Sequence, residues 1–332
     1  MKIILLIAIA VISCYYSNAQ ISKLTIGNVP LKENKVTPYD SLKNFVGENV
    51  YQYIGQTLYL NEKPDVLQKY NFYKEPFFEI TNAKLTYKPS ERGGSESDYN
   101  KLKGKYFEVI DVVQNPNREY SFQASHCLKL IEKESGDIVY HQYKVDGVTF
   151  DFIVLGYFEK LKQTHIGKNY VLIHSFFTNL KSVDTGKEIE GFKVGSKWKC
   201  LDVAIENGKS YSIICILEND EFGKVYTNVN MLDYDGKVFK EEQILLQEKQ
   251  KKELEKQERE RLCREKFGEE MSAIILAGNI KIGMTDEMCR WALGKPQTIN
   301  TTTGDFGVYE QWVYGTDLYL YFDDGILTTI QN

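Results

Sequence analysis

Proline is scarce in this chain, with seven among 332 residues. That scarcity excludes proline-rich linkers and favours regular structure. Positive charge is in slight deficit, 41 Lys and Arg against 46 Asp and Glu, a net charge of −5. Phosphate backbones need a basic surface, so no nucleic-acid partner is expected. Only four histidines occur, His126, His141, His165 and His174, and none has HExxH or paired-ligand spacing. His126 and Cys127 are neighbours in a predicted strand and point to opposite faces, so they do not share a metal. There is no GxSxG, no P-loop and no GxGxxG after a strand. Of the close carboxylates, Glu132 and Glu134 read as a solvated strand face, and Asp323 and Asp324 as a turn. The sequence therefore predicts no catalytic residue, no metal site and no cofactor.

Long apolar runs are also lacking, apart from Ile3–Ser13 behind Met1-Lys2. That run is too short to span a membrane comfortably and reads as a leader over 1–19. Ser17-Asn18-Ala19 before Gln20 makes a signal-peptidase site, with cleavage between Ala19 and Gln20. Val11-Ile12-Ser13-Cys14 makes a rival lipobox, with Cys14 as the lipidated residue. Either processing exports the chain, to the periplasm or outer membrane, with secretion or lipid anchoring as variants. Beyond Cys14 five cysteines remain, an odd number that describes no disulfide framework, at spacings unsuited to zinc. If Asn207-Gly208 forms a two-residue turn, Cys200 and Cys215 face each other as a hydrogen-bonded pair. They then form either a disulfide or two buried thiols acting as small hydrophobes.

Apolar residues make up 42% and charged residues 26% of the chain, a globular composition, and 23 Tyr with 17 Phe favour strands. The length allows two or three domains. We expect an α+β multidomain chain: a linker over 20–40, a β-module over 41–158, a second over 159–236, a helical spacer over 237–265 and an α+β domain over 266–332. Val50–Ile54 and Thr57–Leu60 suggest a hairpin around Gly55-Gln56. Lys88–Asn100 reads as a Gly/Ser loop. Three stretches recur in order. Val46–Asn49 resembles Ile166–Asn169. Gly104–Val112 resembles Gly195–Val203 without a gap. Gly136–Tyr140 resembles Gly223–Tyr226 with one residue lost. Chance is the alternative to a repeat. The modules resemble SH3-like barrels of about five strands each.

Lys237–Lys266 lacks Gly and Pro and is rich in Glu, Lys, Gln and Arg. Glu248/Lys252, Glu255/Arg259 and Glu260/Arg264 are i,i+4 pairs in the favourable order. A coiled coil needs an apolar residue about every 3.5 positions, and these are too sparse, so a single solvated helix is predicted. At about 1.5 Å per residue it spans roughly 45 Å. It runs toward a first helix over Lys266–Ala277, with Gly268 as the weak point.

Thr285 is an N-cap, Asp286 and Glu287 suit the helix dipole, and Gly294 and Pro296 end the helix. The pattern then alternates with period two. Asp324-Gly325 predicts a type I′ hairpin with Phe322 opposite Leu327 and Leu320 opposite Thr329. Gly315-Thr316-Asp317 predicts a three-residue loop with Trp312 opposite Leu320 on the core face. Gly283, Met284, Thr285, Leu293, Gly294, Pro296, Trp312, Tyr314, Tyr321, Phe322, Gly325 and Leu327 together resemble the SmpA/BamE-type domain of small outer-membrane lipoproteins. Similar folds occur in protein inhibitors of hydrolases. The resemblance implies two helices on a three-stranded antiparallel sheet, and protein contacts rather than catalysis. Tyr309, Tyr314, Tyr319 and Tyr321 are the expected contact face. The expected function is thus a non-enzymatic envelope adaptor with other envelope proteins as partners. A cell-wall glycan- or peptide-binding protein using the β-modules is the alternative, and an unrecognised hydrolase a lesser one.

Overall fold

The computed structural model describes residues 26–27, 37–63, 72–73, 77–79, 86–89, 97–115, 124–145, 150–175, 179–208, 213–233, 238–305 and 307–332. The leader, Cys14, Ala19 and Gln20 lie outside them, as does most of the linker. Among the described residues the chain is a mixed α+β protein with three larger antiparallel sheets, a two-stranded pairing of Phe72–Tyr73 with Ser97–Asp98, and one long helix. It divides into two compact units, Met1–Glu242 and Gln243–Asn332.

In the first unit the strands of the first large sheet are β1 (Thr57–Leu60), β2 (Phe77–Glu79), β3 (Tyr106–Gln114), β4 (His126–Glu132), β5 (Ile138–Tyr143) and β6 (Phe152–Val154). Helix α1 (Leu155–His165) follows, then β7 (Asn169–Leu172), β8 (Lys181–Ser182), β9 (Lys197–Glu206), β10 (Ile213–Asn219), β11 (Gly223–Asn228) and β12 (Phe239–Glu241). The first sheet has the order β2-β5-β4-β3-β1-β6 and the second β8-β11-β10-β9-β7-β12, with Ile26–Gly27 added against β9. The second order is the first shifted by six, so the second sheet repeats the topology of the first.

Register agrees with topology. The inward positions of β3 are Phe107 and Val109, then Val112; those of β9 are Trp198 and Cys200, then Val203. Both strands skip a step because each carries a bulge, between Val109 and Asp111 and between Cys200 and Asp202. In each, the aspartate Oδ1 accepts the N–H of the following valine at 2.8 Å, Val112 in one and Val203 in the other. The shared Asp-Val of the sequence is thus a bulge cap. At the start of each sheet, Gly55 N–H donates to Val109 O (2.7 Å) and Gly167 N–H to Cys200 O (2.8 Å). Both glycines have positive φ, 78° and 84°, where a side chain is strained. The true counterpart of Ile166–Asn169 is therefore Ile54–Thr57, not Val46–Asn49. Val50–Tyr53 is accordingly a 3-10 turn leading into that glycine rather than the strand expected there.

The first sheet curls until Phe77 and Phe152, on its two edge strands, bring their rings to 6.1 Å. Its core adds Phe107, Leu128, Leu130 and Tyr53. Helix α1, into which the expected boundary at residues 158 and 159 falls, binds the two sheets together. Leu155, Phe158 and Leu161 join the second core, with Tyr59 and Ile153 from the first sheet. A Cβ on Gly156 would lie 2.5 Å from Gln56 Oε1 and 2.6 Å from Tyr39 Cβ, so only glycine permits that approach. Tyr59 Oη donates to Asn207 Oδ1 at 3.0 Å.

The polar tract forms α2 (Glu242–Leu276). It begins at 242 rather than 237 because Phe239–Glu241 pair with β7, and Phe239 is buried in the second core. Gly268, at φ 74° and ψ 167°, breaks it. Surface pairs form as Arg261 with Glu258 and Glu265, and Lys251 with Glu255. Arg259 is used differently from the expected pair: its Nη2 donates to Trp291 O at 2.6 Å. Past this point the helix turns apolar, and Cys263, Phe267, Met271 and Ile275 enter the C-terminal core.

That core also receives α3 (Asp286–Leu293), whose N-cap Thr285 accepts Met288 N–H at 3.2 Å. The sheet comprises β13 (Thr298–Gly304), β14 (Gly307–Tyr314), β15 (Leu318–Asp323) and β16 (Ile326–Gln331), in that order. It has four strands rather than three, because Thr298–Gly304 pairs along its whole length with β14. The added strand carries almost no apolar alternation, which is why its sequence does not announce it. Trp312 faces Leu320, and Phe322 faces Leu327, as expected. Leu320 instead faces Ile330, because a bulge at Tyr321/Phe322 inserts one residue, Thr328. Trp312 is fully buried between the Arg290 guanidinium, 4.1 Å from its ring centroid, and Phe322 at 4.4 Å.

Candidate contact face of the C-terminal sheet

The face of this sheet that carries Trp312, Leu320 and Phe322 packs on α2 and α3. Alternation sends the intervening residues to the other face. There the register aligns Asn300, Gln311, Tyr321 and Thr329 in one row and Thr298, Val313, Tyr319 and Gln331 in the next. Asn300 Nδ2 donates to Gln311 Oε1 (2.9 Å), Gln311 Nε2 donates to Tyr321 Oη (3.0 Å), and Tyr321 Oη donates to Gln331 Oε1 (2.8 Å). The chain of bonds crosses all four strands in one direction, so each bond polarises the next. Tyr319 Oη donates to Thr316 O at 3.2 Å. Tyr309 begins the neighbouring row and is 44% exposed. The result is a field of amides, hydroxyls and rings in which Tyr319 and Tyr321 are held by their own hydrogen bonds, with Asp323, opposite Tyr309, as a carboxylate in its end row.

Three of the four expected tyrosines share this face. Tyr314 does not. It lies five residues from Tyr309 in the same strand and therefore points the other way. It packs against the core, its Oη donates to Gly294 O at 2.9 Å, and burial pushes its pKa up to about 12. Asn300, Gln311 and Gln331 were not singled out from the sequence. The pairing of Trp312 with Leu320 already implies Gln311 opposite Tyr321, and that register was the available signal.

The remaining candidates resolve as structural residues. Cys200 pairs with Leu217 and Cys215 with Val203, so the two thiols are not opposed, and both are buried outside any disulfide. The reason is that Ile205 pairs with Ile213, three residues beyond the register of a two-residue turn at Asn207-Gly208, and the bulge at Cys200/Asp202 takes back one of those steps. Glu132 is fully buried rather than solvated, whereas Glu134 is exposed. Glu132 Oε1 accepts Glu134 N–H at 2.9 Å, and its Oε2 lies 3.3 Å from Lys105 Nζ and 3.5 Å from Lys88 Nζ. Burial acts to raise its pKa, but hydrogen bonds from Ser135 and the Glu134 N–H, with the Lys105 ammonium, hold it below the ordinary value.

Asp324 is a turn residue at φ 46°, and its Oδ1 accepts Val308 N–H at 2.9 Å. His141 is buried among Phe77 and Phe152, with ring centroids at 5.0 and 4.9 Å. His126 Nδ1 lies 2.9 Å from Ser125 Oγ, and His165 Nδ1 lies 2.6 Å from Tyr170 Oη. Among the described residues no three His, Cys, Asp or Glu side chains gather as a metal site. Among the same residues no helix is long and apolar enough to cross a membrane. No family model, no curated protein and no solved structure matches the chain.

Proposed function

We propose that this chain is a non-enzymatic exported protein that binds other envelope proteins through its C-terminal module. The observation that carries the reading is the outward sheet face, on which no element among the described residues of the C-terminal unit packs. Tyrosine and amide side chains prearranged on a rigid sheet lose little freedom on binding, and tyrosine is enriched at interfaces. Two helices on one side of an antiparallel sheet support reading 266–332 as a BamE-like module with one strand added. Two sheets whose six main strands share one order, the first of them curled, support reading the first unit as tandem SH3-like modules. Export rests on the leader, with Ala19-Gln20 cleavage or Cys14 lipidation as its two forms.

The glycan- or peptide-binding alternative needs an open aromatic groove on a β-module. The rings that cluster in the first sheet, Tyr53, Phe77, Phe107, Tyr143 and Phe152, are buried instead.

Photo-crosslinking tests the reading. A benzophenone side chain at Tyr309 or Thr302 should give a discrete adduct in envelope extracts. The same group at Lys252, on the solvated helix, should not. Equal labelling at all three positions, or none, would remove the face as the contact site.

A further inference from the structure

The two edges of the C-terminal sheet differ. Along β16 the edge is closed at its start by the chain itself. Gly283 N–H donates to Leu327 O, Leu327 N–H to Met284 O and Asp286 N–H to Gly325 O, each at 2.8 Å. Along β13 it is not: Thr298–Gly304 pairs on one side with β14, and six of its seven residues are exposed. An open edge presents a row of backbone donors and acceptors to any extended strand, and proteins ordinarily blunt it with lysine, proline, a bulge or brevity. The strand TINTTTG contains no charge and no proline, is not short, and shows no register shift.

We infer that β13 is a self-pairing edge: two copies of this chain join antiparallel through Thr298–Gly304 about a two-fold axis at Thr301. The flanking charges choose this occupant. Lys295 precedes the strand and Asp305 follows it. Antiparallel pairing brings the Lys295 end of one copy to the Asp305 end of the other, twice, while a parallel neighbour would set like charges together. Within the strand the axis pairs Asn300 with Thr302 of the second copy and Ile299 with Thr303, so no charge opposes another. Parity is kept, and the amide row Asn300–Gln311–Tyr321 continues into the second copy as one eight-stranded sheet. A two-fold contact uses the same patch on both subunits, as this strand does. The pairing holds whether or not the outer face binds another protein.

Sedimentation of the purified chain should show a concentration-dependent dimer. The double variant Asn300→Lys/Thr302→Lys places lysine opposite lysine at two rows and should weaken association at least tenfold. Mixing it with Asn300→Glu/Thr302→Glu should restore dimers containing one of each. Thr301→Cys should cross-link copy to copy under mild oxidant, whereas Thr303→Cys, opposite Ile299, should not. Unchanged tryptophan fluorescence, to which Trp291 and Trp312 of this unit contribute, would establish that each variant is folded. A chain that stays monomeric at high concentration overturns the inference. So does a dimer indifferent to the lysine pair, or equal cross-linking at positions 301 and 303.

Discussion

His141 should make the first unit acid-sensitive in a narrow and calculable window. The side chain is 3% exposed, between two phenylalanine rings, and burial lowers its pKa from the ordinary 6.5 to about 3. The unfolded chain therefore takes up a proton as pH falls through 6.5, and the folded chain refuses it until near 3. Stability that is present above pH 6.5 is lost on acidification across that interval. One proton of difference corresponds to about 1.4 kcal/mol per pH unit, so roughly 2–3 kcal/mol should be gone by pH 4.5. Glu132 and Asp137 have lowered pKa values, and their contributions are lost as pH falls from the ordinary carboxylate range through those lower values. The interval from 6.5 to about 4.5 lies above both of these carboxylates, and Asp151, whose pKa burial raises, adds a contribution of opposite sign that a His141 variant shares with the parent, so the comparison of the two isolates the histidine. The variant His141→Leu, of similar volume and without a titrating group, should unfold near the parental urea midpoint at pH 7. It should then lose about 2 kcal/mol less than the parent between pH 6.5 and 4.5, measured by circular dichroism. Identical pH dependence of the two proteins would refute the assignment of a buried neutral imidazole.

Trp312→Ala should cost the C-terminal unit about 3–5 kcal/mol, read from its melting by hydrogen exchange, because the ring fills the centre of that small core. Asp111→Ala and Asp202→Ala should each cost about 1 kcal/mol, and by similar amounts, since each removes the same bulge hydrogen bond; urea melts of the two variants compare them directly. Burial pushes the Cys127 and Cys200 thiols up to about 12 and Cys289 to about 11. The five described cysteines should therefore resist a thiol reagent until urea unfolds the chain, and mild oxidant should leave the Cys200–Cys215 pair unlinked by mass.

Much of the C-terminal module was legible because its signals are local. Thr285, Gly294, Asp324-Gly325 and the three-residue loop each fix a cap or turn within a few residues, and register follows from turns. What failed there was equally local: a bulge at Tyr321/Phe322 has no turn residue to mark it, and it moved Leu320 from Thr329 to Ile330. Strand β13 was invisible because an exposed threonine edge has no buried face to write a period into the sequence. In the first unit the ungapped match of Gly104–Val112 to Gly195–Val203 found the bulged strand itself, including its capping aspartate. Long-range facts were out of reach. The burial of Glu132 depends on lysines 27 and 44 residues away in sequence, at Lys105 and Lys88, and no local pattern reports that. The contact face was half legible, since parity alone separates Tyr314 from Tyr309, while the amide row needed the fourth strand.

Each sheet of the first unit passes directly from its last strand into a helix, β6 into α1 at Leu155 and β12 into α2 at Glu242. The last strand fixes where that helix starts, and the residues on the helix decide what it packs against. Lengthening such a protein is therefore a matter of what is written on the exit helix. Apolar residues on α1 draw the following sheet into a common interior, and charged residues on α2 give the chain a solvated stretch before its next core begins at Cys263.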